Sequence, residues 1–291
     1  MCKVKGGATM ELVVLSGKGG TGKTTIATAL SELAQDVVRI DCDVDAPNFY
    51  LFYNGEDIES KGFIGSKKAV MNEELCIKCG KCQDICRFDA IDDLKINSFL
   101  CEGCGACSLV CPQKAIVLED EKIADTFITQ LDKGIISRAE MEIGSDGSGK
   151  LITHLRKNGK AFNKDEKLVI IDGSPGIGCP VISSITGSDA VLIVTEPTKS
   201  GLEDLMRVVS LCQYFGIFTM VCINKHDINI EMSLEIQNFV NKQGLKFVGK
   251  IPYDDTVRKS INELKPITHY KESIANKAIE EIWTNVKENI F

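Results

Sequence analysis

The chain has 291 residues, 44% of them hydrophobic and 26% charged, with 41 acidic against 34 lysine and arginine side chains and a formal net charge of −7. This composition belongs to a folded globular protein and excludes a disordered or collagen-like chain; the acidic balance disfavours general nucleic-acid binding. No apolar run approaches the roughly 18–20 residues of a membrane span, and the short apolar core Leu12–Leu15 is too brief for a secretory signal. The expectation is a cytoplasmic protein with no stable membrane anchor and no nucleic-acid partner. Cysteine usage stands apart: of 13 cysteines, eight lie between Cys76 and Cys111, and Cys2, Cys42, Cys179, Cys212 and Cys222 are scattered. Without an export signal a disulfide framework is not expected, so the clustered eight ask for a metal.

In chain order, residues 1–9 read as an N-terminal extension, because Met10 opens ELVVLSGKGG directly. Leu12–Leu15 is a continuous apolar run, the mark of a strand buried on both faces. A helix follows over Lys23–Ala34, with Ile26, Ala27, Leu30, Leu33 and Ala34 on one face, and then a strand over Val37–Ile40. The alternation breaks near residue 69 and resumes after residue 120. Further strands are predicted at Leu168–Ile171, Ala190–Val194, Phe218–Ile223 and Phe247–Ile251. Ser200-Gly-Leu-Glu203 reads as a capping box opening a helix that stops near Gly216; Asn229–Gln243 is another, ended by Gly244. Residues 144–149, GSDGSG, read as a connector. Short strands alternating with helices imply an α/β fold with a doubly wound, mostly parallel sheet. It is assigned to residues 10–68 and 121–291, with residues 69–120 as an inserted module.

Gly17-Lys18-Gly19-Gly20-Thr21-Gly22-Lys23-Thr24 fits G-x-x-x-x-G-K-[ST] between a predicted strand and a predicted helix. Glycines there let consecutive backbone N–H groups curl around phosphate oxygens, and the helix N-terminus adds partial positive charge. Lys23 is expected on the β- and γ-phosphates, the Thr24 hydroxyl on Mg²⁺, and Thr25 beside them in the ATP site.

The extra lysine, Lys18, gives the loop the form K-G-G-x-G-K-T. That form resembles the deviant Walker A P-loop ATPases: the MinD, ParA and Mrp proteins and the nitrogenase iron protein. The resemblance implies that Lys18 reaches the nucleotide of a partner subunit, in a homodimer or a heterodimer with a related ATPase. It also implies that Asp43, in Asp41-Cys-Asp43-Val-Asp45, positions the attacking water. Asp172-Gly-Ser-Pro-Gly, ending the strand Leu168–Ile171, is similar to the Walker B strand end and is expected to hold Mg²⁺. On the same resemblance Asn224 and the segment containing Pro252 and Asp254 sit beside the adenine.

Residues 76–91 realign on residues 101–116 at an offset of 25, matching all four cysteines. The spacings Cys76-x2-Cys79-x2-Cys82-x3-Cys86 and Cys101-x2-Cys104-x2-Cys107-x3-Cys111-Pro112 match the bacterial ferredoxin run, in which the fourth cysteine ligates the other cluster. On that pattern Cys76, Cys79, Cys82 and Cys111 hold one [4Fe–4S] cluster, and Cys101, Cys104, Cys107 and Cys86 hold the second. Zinc takes thiolates in two pairs rather than two runs of four. Arg87 stands where the run would carry proline.

The whole resembles MinD/Mrp-type ATPases carrying an inserted two-cluster ferredoxin module. That implies a slow, partner-stimulated ATPase coupling dimer closure either to electron delivery to a redox acceptor or to cluster handling for an apo iron–sulfur protein. Two other outcomes stay open on the same scaffold: a MinD- or ParA-like spatial-positioning ATPase with structural clusters, and an ATP-dependent amide-forming enzyme. Cys179 reads either as a buried turn cysteine or as a thiol near a dimer axis. Ser273–Ile290 carries a helical apolar stripe with too few lysines for a membrane-surface helix, so docking on the domain is expected.

Overall fold

The computed structural model describes residues 9–145, 149–163 and 168–291. The first eight residues of the expected extension and residues 146–148 of the GSDGSG connector lie outside them. The chain opens with β1 (Glu11–Leu15), α1 (Lys23–Ala34) and β2 (Val38–Asp41). It continues through β3 (Gly55–Met71), α2 (Lys81–Ile85), β4 (Ile91–Asp92), β5 (Lys95–Ile96), α3 (Ala106–Val110), β6 (Ile116–Leu131) and β7 (Ile135–Met141). Then follow α4 (Gly149–Ala161), β8 (Val169–Asp172), α5 (Cys179–Ile185), β9 (Ala190–Thr195), α6 (Lys199–Tyr214) and β10 (Phe218–Asn224). The last elements are α7 (Ile230–Lys242), β11 (Lys246–Ile251), α8 (Asp255–Asn262) and α9 (Ile274–Ile290).

One sheet takes the order β11-β10-β9-β1-β8-β2-β7-β6-β3. Every pair from β11 across to β7 is parallel, as the buried strand runs require: β1, β2, β8 and β9 are buried at every residue. The fold is thus the expected α/β, mostly parallel architecture. The core on one face joins Leu12 and Val14 of β1 to Ile26 and Leu30 of α1 and to Ile279, Ile282, Trp283 and Val286 of α9. The apolar stripe of α9 is therefore spent inside the protein, and no described helix is long and apolar enough to cross a membrane.

Two local readings differ from expectation. The cap of α6 is Thr198, whose side chain accepts from the Gly201 N–H at 2.9 Å, rather than Ser200. The sheet also extends beyond β2 through β7, β6 and β3. In β3 most positions are exposed, so its sequence lacks the apolar alternation that marks a strand packed on one face.

The described chain forms two compact units. The larger contains the residues up to Ser60, Thr126–Glu140 and the chain from α4 to Phe291; the smaller contains Lys61–Asp125 and a short stretch from Met141. The cysteine segment 69–120 lies inside the smaller unit, whose edges run past it along β3 and β6. The duplication is visible in the backbone. Helices α2 and α3 lie at the repeat offset, capped by Gly80 (φ 77°) and Gly105 (φ 78°). Left-handed residues recur at Lys78 and Gly103 and at Asp89 and Lys114. Gly103 is required: a Cβ there would lie 2.0 Å from the Lys67 carbonyl oxygen. The unit's apolar core is small, built on Ala69, Ala90, Ile91 and Ile116 with Cys82, Cys101 and Cys107.

Candidate functional site

Three neighbouring parallel strands, β1, β8 and β2, end side by side, with Val14 opposite Asp172 and Asp172 opposite Asp41. Each delivers one part of a site at the carboxyl edge of the sheet, where open α/β sheets bind ligands. The loop after β1 turns into α1 through Gly22, left-handed at φ 90°, and no side chain caps the helix. Its first-turn N–H groups are therefore open to an anion. Gly22 also admits Asn224: the Asn224 Nδ2 donates to the Thr21 carbonyl at 2.7 Å, and a Cβ on Gly22 would come within 2.4 Å of that nitrogen.

Lys23 heads α1, buried. Its Nζ donates to Asp172 Oδ1 at 2.6 Å and lies 3.2 Å from Asp43 Oδ2. Burial alone would lower its pKa, but the Asp172 and Asp43 carboxylates more than offset that and hold the ammonium above its ordinary value. The Thr24 hydroxyl donates to Asp172 Oδ2 at 2.7 Å, so the expected Mg²⁺ pair is in contact. Asp41 accepts from the backbone N–H of Asp43 and of Phe49, both at 3.1 Å. Burial, then the Asp172 charge, pushes Asp41 up to about 8. Burial likewise raises Asp43, helped by Asp172 and opposed by Lys23. Two carboxylates, Asp172 and Asp43, thus pair directly with one ammonium, and Asp41 adds a weaker electrostatic pull on it.

A cavity of about 590 Å³ opens over these groups, within the range of small-molecule sites. Gly19, Gly20, Lys23, Thr24, Thr25 and Asp43 form its polar wall; Leu51, Phe52, Ile261 and Leu264 form an apolar one. That apolar wall carries no sequence motif. Neither Pro252 nor Asp254 is among the described residues that line it. The Asp254 carboxylate caps α8 through the Thr256 N–H and accepts from Ser273 Oγ at 2.6 Å and the Ala275 N–H at 3.2 Å; its side chain is spent in the fold. Lys18 turns toward its own chain: Nζ donates to Ser200 Oγ at 3.2 Å and lies 3.8 Å from Glu196 Oε2.

In the smaller unit one apolar cavity is lined by Cys76, Cys79, Cys82 and Cys111, and another by Cys86, Cys101, Cys104 and Cys107. Each set takes three cysteines from one repeat and the last from the other. All described cysteines are free thiols, and the Ala115 N–H donates to Cys111 Sγ at 3.3 Å, lowering that thiol's pKa. Among the described residues no group of three or more His, Cys, Asp or Glu side chains is placed to hold a single metal ion. Cys179 is exposed at the start of α5.

A family model, the CobQ/CobB/MinD/ParA nucleotide binding domain, matches residues 12–267. An uncharacterized protein of Methanocaldococcus jannaschii is 38% identical over 98% of this chain and 99% of its own length. An iron-sulfur cluster carrier protein of Pyrococcus furiosus is 24% identical over 94% of this chain and 83% of its own. Among solved structures, the septum site-determining protein MinD of Pyrococcus horikoshii, complexed with Mg-ADP, superposes with a TM-score of 0.59 at 19% identity, covering 96% of each chain. With the loop, the acid-paired lysine and the parallel sheet in place, the chain belongs to the CobQ/CobB/MinD/ParA family of nucleotide-binding domains.

Proposed function

We propose that this chain is an ATP-hydrolysing iron–sulfur protein, in which nucleotide state at the phosphate loop governs two [4Fe–4S] clusters in the smaller unit. The carrying observation is the sorting of eight cysteines into two cavities, each a set of four thiols drawn from both repeats. The donor set is thiol alone in an apolar setting, which suits iron–sulfur clusters. A tetrahedral zinc site would instead pull its sulfurs onto one ion about 2.3 Å away. Bound clusters supply one-electron chemistry, or are themselves the cargo.

At the other site Lys23 neutralises the β- and γ-phosphate oxygens, exchanging carboxylate partners for phosphate ones. Thr24 and Asp172 hold Mg²⁺, which offsets charge on the phosphates. Asp43, freed from Lys23, orients the attacking water. Lys18 leaves Ser200 and Glu196 to reach the nucleotide of a second subunit, in a homodimer or with a related ATPase. Asn224, fixed against the loop, stands on the base side.

The P. furiosus relative named as an iron-sulfur cluster carrier supports cluster handling for an apo iron–sulfur protein as the output; delivery of electrons to a redox acceptor uses the same parts. The spatial-positioning reading needs membrane or DNA association; the buried stripe of α9 disfavours the first through that helix, and the acidic balance of the chain disfavours the second. The test is anaerobic purification with iron and sulfide counts, ATPase assay, and capture of partners on an Asp43→Asn variant loaded with ATP. Stoichiometric iron and sulfide, hydrolysis that Asp43→Asn slows by about a hundredfold or more, and an ATP-dependent captured partner support the reading. A metal-free or zinc-only protein after oxygen-free isolation overturns it.

A further inference from the structure

Arg138, on β7, is 6% exposed. Its guanidinium carbon lies 4.6 Å from the ring centroid of Tyr50 and 4.2 Å from that of Phe127. Nη2 donates to Asp57 Oδ2 at 2.8 Å, Nη1 to Glu140 Oε1 at 2.5 Å and Nε to the Thr129 hydroxyl at 3.2 Å. The Thr129 hydroxyl donates in turn to Asp57 Oδ1 at 2.5 Å. One planar cation therefore joins the short 3-10 turn Phe49–Phe52, the β3 residue Asp57 and the β6 residues Phe127 and Thr129.

What it joins matters. The turn carries Leu51 and Phe52 in the wall of the nucleotide cavity. The Phe49 N–H is accepted by Asp41, which also accepts the Asp43 N–H. The turn thus shares its anchor with the loop that carries Asp43, proposed above to orient the attacking water. On the other side, β3 and β6 run from the larger unit into the smaller one, as β7 does at its last residue, Met141. A guanidinium has a rigid plane and a fixed fork of donors. It cannot follow Tyr50 sideways and still serve Asp57 and Thr129 in the same geometry.

We propose that Arg138 is the positioning residue through which the nucleotide loop acts on β3 and β6, so that the state of the turn at Tyr50 sets the placement of those strands. The inference rests on the coupling proposed above and names its route. Lysine at this position keeps the charge near Asp57 but loses the fork and the planar stack. Phenylalanine at position 50 keeps the ring; alanine does not.

The test uses the full chain, purified without oxygen, with hydrogen–deuterium exchange read over residues 61–71 and 116–125, with and without a non-hydrolysable ATP analogue and Mg²⁺. Wild type and Tyr50→Phe should show a nucleotide-dependent change in protection. Arg138→Lys and Tyr50→Ala should reduce it by about fivefold or more while binding the analogue as wild type does. Variants that keep the full response overturn the role of Arg138 alone, and so do variants that lose analogue binding and response together. A wild type that binds the analogue with no change in these strands overturns the coupling itself.

Discussion

Three glycines of the phosphate loop differ in what a methyl group would meet, and that difference sets a graded prediction. Gly22 sits at φ 90° with Asn224 Nδ2 2.4 Å from the added Cβ. The left-handed backbone costs a non-glycine residue about 1–2 kcal/mol. Displacing the Asn224 amide also loses its hydrogen bond to Thr21, roughly 0.5–1.5 kcal/mol. Gly22→Ala should therefore destabilise the larger unit by about 1.5–3.5 kcal/mol. Gly20 has φ 80° but open space around it, so Gly20→Ala should cost only the backbone part, about 1–2 kcal/mol. Gly19 has neither obstacle, and Gly19→Ala should stay within about 0.5 kcal/mol of wild type. Trp283 is the only tryptophan and packs in the same core as Ile26 and Leu30 of α1, so its fluorescence in urea titrations reads this unit. Gly22→Ala as stable as Gly19→Ala would refute the reasoning, and so would a loss at Gly19 equal to that at Gly22.

The remaining predictions concern acid–base, catalytic and metal behaviour. Burial opposes, but the hydrogen bonds from Ser273, Thr256 and Ala275 outweigh it and hold Asp254 down to about 2 against an ordinary 3.8. Its contribution is fully present above the unfolded value and lost as pH falls through the folded one. The stability gap between wild type and Asp254→Ala, about 1 kcal/mol near neutral pH, should shrink between those two values in urea titrations. Asp43→Asn should slow hydrolysis by about 10²- to 10⁴-fold without weakening ATP binding, measured by single-turnover assay and equilibrium titration. Cross-repeat ligation makes double variants diagnostic. Cys76→Ser with Cys111→Ser should cost one cluster, about four irons, whereas Cys101→Ser with Cys111→Ser should cost both. Iron chelation should abolish exchange protection in the smaller unit while the Trp283 transition stays in place, because that unit has little apolar core of its own.

Sequence reading was strongest where local chemistry dictates structure. Buried apolar runs located β1, β2, β8, β9, β10 and β11 to within a residue or so, and Asn229 and Ser273 cap α7 and α9 through their side chains. The glycines and lysine of the phosphate loop and the spacing of the cysteines were legible because each residue's role follows from its neighbours. What sequence could not supply depends on distant partners. β3 is mostly exposed and highly charged, so its pattern resembles a loop until β6 pairs with it. The apolar wall of the cavity is assembled from Leu51, Phe52, Ile261 and Leu264, separated by some two hundred residues. Asp254 is expected beside the base on resemblance alone, and only the folded chain shows that its carboxylate caps α8 through the Thr256 N–H and accepts from Ser273 and the Ala275 N–H at the start of α9. Arg138 carries no motif at all; only the folded chain brings Tyr50, Phe127, Asp57 and Thr129 together around it.

The most direct measurement is the midpoint potential of the reconstituted protein, taken anaerobically with and without ATP and Mg²⁺. Control by the phosphate loop predicts a shift on nucleotide addition that Lys23→Ala removes. A potential that stays the same in every nucleotide state, in a protein shown to bind ATP and to carry both clusters, would contradict the account.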